Sequence, residues 1–142
     1  MPPANSTLLW PMFAMFVLSV IVLIRMVFTR FRAVKKGEVK AGYFKTYTVV
    51  GGPDDMLKAS RHFSNLFEAP VLFYVACILG MIFSEGNVFS ILAWIYVSAR
   101  VVHAYVHMGS NKLNPRMGAY FVGWLALGGM WIVLAIHQIP TV

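Results

Sequence analysis

Apolar and polar positions along this chain alternate on the scale of whole segments, not of single residues. Four windows are almost free of charge: Leu8 to Phe28, Asn65 to Phe83, Val88 to Met108 and Met117 to Ile139. Each is close to the roughly 20 apolar residues that a membrane-spanning helix needs. The pattern predicts an all-α chain, an integral membrane four-helix bundle that forms a single domain over residues 1–142. Pro11 falls in the first turn of the first window, where a missing amide is tolerated. No basic stretch precedes that window and no small-residue cleavage site follows it, so it reads as a retained helix and not a signal peptide. Gly51-Gly52-Pro53 is a turn, and Asp54 is placed to cap a helix that starts about two turns before the second window. Lys45 to Val50 alternates and predicts a short extended piece.

Composition agrees with a membrane protein: 59% of residues are hydrophobic and 12% charged, against roughly 25% charged in soluble domains. The twelve Lys and Arg residues then give an orientation. Nine lie between Arg25 and Arg61, and Arg100, Lys112 and Arg116 sit at or near the third connection. With four spans these basic segments share one side, which the positive-inside rule makes the cytoplasm, leaving both termini on the periplasmic, lumenal or external side. The net charge of +7 reads as a collar facing anionic headgroups, and it requires no nucleic acid. Cys77, the one cysteine, has no partner for an internal disulfide and reads as packing.

Polar residues inside the windows carry the candidate chemistry. A carboxylate in hydrocarbon costs about 2.5–3.5 kcal/mol even on lenient scales, so Glu68 marks a site or a partner. On one continuous helix Arg61, Asn65 and Glu68 share an arc of roughly 60°, as do Arg100, His103 and His107 on the third. Lys58 stands at the aqueous mouth above Arg61. Counted from the ends near Arg61 and Gly109 at 1.5 Å per residue, Glu68 lies about 10 Å deep, His103 about 9 Å and Arg100 about 14 Å. These depths predict a contact between Glu68 and Arg100 or His103. Such a pair serves equally well as a fastening between helices. His103, His107 and Glu68 fall short of a recognisable metal set, and no metal is expected. Arg25 and Arg30 lie where long side chains snorkel to headgroups, with Arg25 the one that can also reach a site. Tyr120 is either an interface anchor or a cavity residue, and Gly118, Gly123, Gly128 and Gly129 allow close helix approach.

The motif Arg61-x-x-x-Asn65-x-x-Glu68-x-Pro70, the pair Arg100-x-x-His103 and the loop at Pro115 together resemble the MAPEG family, the membrane-associated proteins of eicosanoid and glutathione metabolism. The likeness spans all four helices and is greatest to the microsomal glutathione transferase and prostaglandin E synthase branches. It implies a homotrimer with active sites between subunits, open to the cytoplasm, that bind glutathione as co-substrate. By the same resemblance Lys58, Arg61, Asn65, Glu68, Arg100 and His103 bind glutathione, Arg116 or Lys112 stabilises its thiolate, and Arg25, His107 and Tyr120 are further candidates. Lys112 is a compact charge where the family uses a planar guanidinium. His107 stands where some members have Tyr.

The implied function is a glutathione transferase, with peroxidase activity as an extension, acting on hydrophobic electrophiles or lipid hydroperoxides drawn from the bilayer. A thiol with pKa near 8.5 must ionise to attack, which a nearby cation favours. The alternative is a non-catalytic membrane protein that binds a lipid or a partner in the same cavity, since fold alone does not fix chemistry. A small multidrug-type transporter fits less well, because the polar groups that accompany Glu68 all lie in one half of the membrane.

Overall fold

A computed structural model of the chain describes residues 6–46, 51–83 and 85–137. After a 3-10 turn at Ser6–Leu8, the helices are α1 (Leu9–Lys35), α2 (Tyr43–Thr46), α3 (Asp54–Asn65), α4 (Ala69–Ile82), α5 (Asn87–Met108) and α6 (Leu113–His137). Four spans result, with α3 and α4 together making the second. Helices are the natural outcome, because a spanning segment must satisfy its backbone groups internally.

The core follows the helical period. Met15, Leu18 and Val22 of α1 meet Phe73, Ala76 and Cys77 of α4, Ala93, Tyr96 and Val97 of α5, and Leu127, Met130 and Leu134 of α6. Phe73 stacks on Tyr96 with ring centroids 4.5 Å apart. The outer faces are as apolar as the inner ones: Trp10, Phe13, Phe16, Ile24, Leu125 and Ile132 are all exposed. A surface of that kind suits lipid, which offers no hydrophobic penalty for it.

Several boundaries differ from the sequence pattern. α1 continues to Lys35, beyond the apolar window, and α6 begins at Leu113 with Pro115 in its first turn; proline is tolerated there for want of an intrahelical acceptor. Asp54 and Asp55 occupy the first turn of α3 while Pro53 takes the cap position without a side-chain bond, so the acidic pair acts through the helix dipole, not as a cap. Lys45 and Thr46 belong to the helical turn α2, not to an extended piece; residues 47–50 lie outside the described ones, as does the end of the fourth window at Ile139. Of the four α6 glycines, Gly123 and Gly129 face α5, where an added Cβ would come within 4 Å of Ala99 and Leu92, whereas one at Gly118 or Gly128 would meet nothing within 4 Å.

The two basic segments share one end of the bundle. Arg25 Nη2 donates to the Met108 carbonyl at 2.7 Å, joining α1 to the C-terminus of α5, where a cation offsets the helix dipole and an otherwise unpaired carbonyl. At the other end Thr7 reaches Ser90 across 3.3 Å, and buried Glu85 pairs with His137 at 2.7 Å.

Gly80 provides a test of this packing. A Cβ there would lie 2.5 Å from Phe89 Cε1 and 3.0 Å from Leu8 Cδ1, whereas one at Gly118 would meet nothing within 4 Å. Gly80→Ala should destabilise the detergent-solubilised protein by about 1–3 kcal/mol, the usual range for overpacking. Gly118→Ala should leave it unchanged or slightly firmer, and equal melting temperatures for the two variants would contradict the packing.

Candidate functional site

Pro70 decides the shape of the second span. It has no amide to offer the Leu66 carbonyl, and its ring crowds that carbonyl in a continuous helix. The chain therefore leaves the α-helix at Leu66 and re-enters it at Ala69. Between them the amides of Leu66 and Phe67 reach back only three residues, to Phe63 and Ser64, each at 3.0 Å, and Glu68 reaches Asn65 at a long 3.5 Å. Glu68 has φ −99° and ψ −102°. The single continuous face expected for Arg61, Asn65 and Glu68 is thus interrupted after Asn65.

The break leaves the Asn65 carbonyl weakly satisfied, and α5 supplies what it lacks. Arg100, buried at 2% exposure, donates from Nη2 to Asn65 Oδ1 at 2.6 Å and to the Asn65 carbonyl at 3.4 Å. Asn65 Nδ2 in turn donates to Glu68 Oε2 at 3.3 Å. The expected contact between Glu68 and the third span is therefore relayed through a carboxamide. A carboxamide can do this because it accepts on one side and donates on the other. Glu68 itself is exposed in the isolated chain, where the sequence suggested a buried ion pair.

Beside this network lies a cavity of about 300 Å³ lined by Arg61, Asn65, His103, His107, Arg116, Met117 and Tyr120. Six of these residues were singled out by sequence, and they come from three spans. The wall carries two guanidiniums and no carboxylate. Arg116 Nη1 is held by Asn111 Oδ1 at 2.7 Å, and Asn111 takes a left-handed conformation, φ 49°, in the α5–α6 connection, which Asn accepts more readily than most residues. His103 Nδ1 donates to the Arg116 carbonyl at 3.1 Å; since a carbonyl only accepts, Nδ1 carries the proton of this bond. Tyr120 turns inward, its ring 5.8 Å from that of His103.

The remaining candidates lie outside the cavity wall. Arg25 caps α5, Arg100 acts through Asn65, and Lys58, Lys112 and Glu68 line no part of it. Arg116 is tethered to Asn111. Sequence reasoning missed Asn111 and also His62, which is 1% exposed with neither ring nitrogen hydrogen-bonded. His62 stacks on His107, centroids 4.8 Å apart at 10°, and lies 6.0 Å from His103. It sits about 100° round the helix from Arg61, off the face that sequence reasoning followed. Among the described residues no group of three or more His, Cys, Asp or Glu side chains is arranged to hold a metal ion. A donor-rich pocket with permanently charged guanidiniums is suited to anions, carboxylates and thiolates above all.

A model of the MAPEG family matches residues 8–136, nearly the whole chain. The chain belongs to the MAPEG family. No curated protein and no solved structure gives a significant match. MAPEG membership and four apolar spans make it an integral membrane protein, and they point to glutathione-related transferase or isomerase chemistry. In this MAPEG chain Arg100 of the third-span Arg-x-x-His pair is hydrogen-bonded to the second-span motif through Asn65, and His103 of the same pair to the backbone of Arg116 in the fourth span.

The Asn65–Arg100 bond generates a prediction. Hydrogen bonds to charged groups contribute about 1.5–3 kcal/mol, and an orphaned buried charge costs more than its removal together with its partner. Asn65→Leu and Arg100→Met should each destabilise the purified protein by about that much or more. In a double-mutant cycle of thermal unfolding the combined variant should recover part of the loss; strict additivity would show the two residues to be uncoupled.

Proposed function

We propose that this protein is a membrane-bound glutathione transferase that conjugates hydrophobic electrophiles from the bilayer. The observation that carries the reading is the cavity itself: Arg61, Asn65, His103, Arg116 and Tyr120 from three spans converge on one donor-rich space. In this reading Arg61, Asn65 and Glu68 hold the peptide part of glutathione, with Lys58 at the mouth and Arg100 fixing Asn65. Arg116, steadied by Asn111, faces the sulfur. The S–H proton leaves to water, the thiolate forms a bond to the electrophilic carbon, and the bond to the leaving group breaks with its electron pair. Lowering a thiol pKa of 8.5 by two units raises the thiolate at pH 7 from about 3% to roughly 75%. Reduction of lipid hydroperoxides would use the same thiolate, with two glutathiones supplying the two electrons.

The assembly belongs to the same proposal. Arg61, Phe67 and Glu68 are exposed in the isolated chain although they lie within a span, where a bare charge is costly. A homotrimer whose neighbouring subunits cover this face would close the site and complete it. The basic end of the bundle faces the cytoplasm, and both termini lie on the opposite side. Cysteine-accessibility labelling tests the orientation: Lys40→Cys should react from the cytoplasmic side and Gly86→Cys, in the α4–α5 connection, from the other. Exchanged accessibility would reverse the assignment, and labelling of both from one side would abolish it.

Glutathione and S-hexylglutathione should bind saturably in isothermal titration. Absence of binding would favour the accessory, lipid- or partner-binding alternative. Arg116→Ala should still bind glutathione but lose the ultraviolet absorbance of bound thiolate, whereas Arg61→Ala should weaken binding first. An unchanged thiolate signal in Arg116→Ala would move that role to Lys112 or Arg100.

A further inference from the structure

A thiol that becomes a thiolate must hand its proton to a base, and the wall of the cavity offers few. Arg61 and Arg116 are permanently protonated, Asn65 and Met117 have no basic group, and Tyr120 already carries a proton on its hydroxyl. Among the described residues on this wall, His103 and His107 are the two that can accept one. His103 is committed through Nδ1 to the Arg116 carbonyl at 3.1 Å. His107 has a different support. Its ring lies face to face with that of His62, centroids 4.8 Å apart and planes 10° from parallel, whereas His103 is tilted by 53° to His62 and by 48° to His107.

His62 is the odd member of this cluster. It is 1% exposed and neither ring nitrogen has a hydrogen-bond partner, an arrangement that calls for an explanation in a buried polar side chain. With no acceptor for the second N–H that protonation would create, His62 offers its ring face and not a proton site. A cation over an aromatic face is attracted to it, so the stack favours an imidazolium at His107. The charged side chains that act on the pair are Arg25 of α1, Lys58 of α3, Arg100 of α5 and Arg116 of α6, with Arg61 of α3 on the cavity wall. Each of them is a cation. A further positive charge among them is repelled unless a negative one arrives with it, and a bound thiolate is such a charge.

We propose that His107 is the base that takes the thiol proton, with His62 as the residue that positions its ring. The inference rests on the transferase reading and deepens it. The S–H bond breaks with its electron pair left on sulfur, and the proton forms an N–H bond on the unprotonated ring nitrogen of His107. The imidazolium then faces the thiolate across the cavity. A sphere of about 300 Å³ is only about 8 Å across, so a sulfur near its centre is within reach of the wall directly or through one water, the condition a general base must meet. The proton passes on to water once the thiolate has been consumed.

The test is stopped-flow mixing of the detergent-solubilised protein with glutathione near pH 7, with ultraviolet absorbance counting bound thiolate and a pH indicator counting protons released. In the wild type the thiolate should appear with far less than one proton released for each, because His107 retains it. His107→Gln should form thiolate about a hundredfold more slowly, the lower end of what a general base contributes, and release its proton to solvent in step with it. Added imidazole should restore the rate, which it could not do for a purely structural loss. His62→Phe keeps the stacked ring and should still retain the proton, whereas His62→Ala should release it. A wild type that shows bound thiolate and releases a proton for each one overturns the assignment and leaves the transferase reading standing. Retention lost in His103→Gln but kept in His107→Gln overturns it in the same way, and absence of any bound thiolate overturns both.

Discussion

Much of the molecule depends on one buried cation. Arg100 lies midway along a spanning helix at 2% exposure, where an unsatisfied guanidinium is among the most costly groups a protein can hold. Among the described residues no carboxylate forms an ion pair with it. Its partners are the side chain and the backbone carbonyl of Asn65, and that carbonyl is available because Pro70 prevents the helix from continuing past Leu66. The proline, the helix break and the arginine are therefore one device. A local loss of backbone hydrogen bonding in the second span is offset by a charge-assisted bond from the third.

The same device sets the geometry of the cavity. With Asn65 fixed against α5, Arg61 is left one turn above it and free to face the space that His103, Arg116 and Tyr120 close from the other side. His103 is oriented by the carbonyl of Arg116, and the Arg116 guanidinium by Asn111. Asn65, His103 and Arg116 are thus each positioned by a group outside their own helix. Preorganised donors of this kind act on developing negative charge without having to reorient, which is what a thiolate site requires.

Most Lys and Arg side chains gather at one end of a bundle whose outer surface is largely apolar. Arg25 shows how economically this is done, since it offsets the α5 C-terminus while it also contributes to the basic collar. The opposite end holds a single buried acid, Glu85, paired with His137. The exposed apolar side chains of α1, α5 and α6 belong with lipid or with further copies of the chain.

The four spans, their all-helical character and the grouping of basic residues were legible in the sequence, because they depend on the length and sign of long segments and not on any single contact. The candidate residues were legible for a related reason: a polar group in a hydrocarbon window is conspicuous by its cost. Which of them meet was not. A face read at 100° per residue assumes an unbroken helix, and Pro70 broke it, so Glu68 moved off the cavity and Asn65 became the link to Arg100. Asn111 and His62 were passed over because a left-handed turn residue and a stacked imidazole gain their roles only from neighbours distant in the chain. Sequence determined where polar groups could be afforded in the membrane; the packing of α3 and α4 against α5 and α6 decided their partners, since hydrogen bonds act over about 3 Å and helix periodicity cannot place atoms of different spans to that precision.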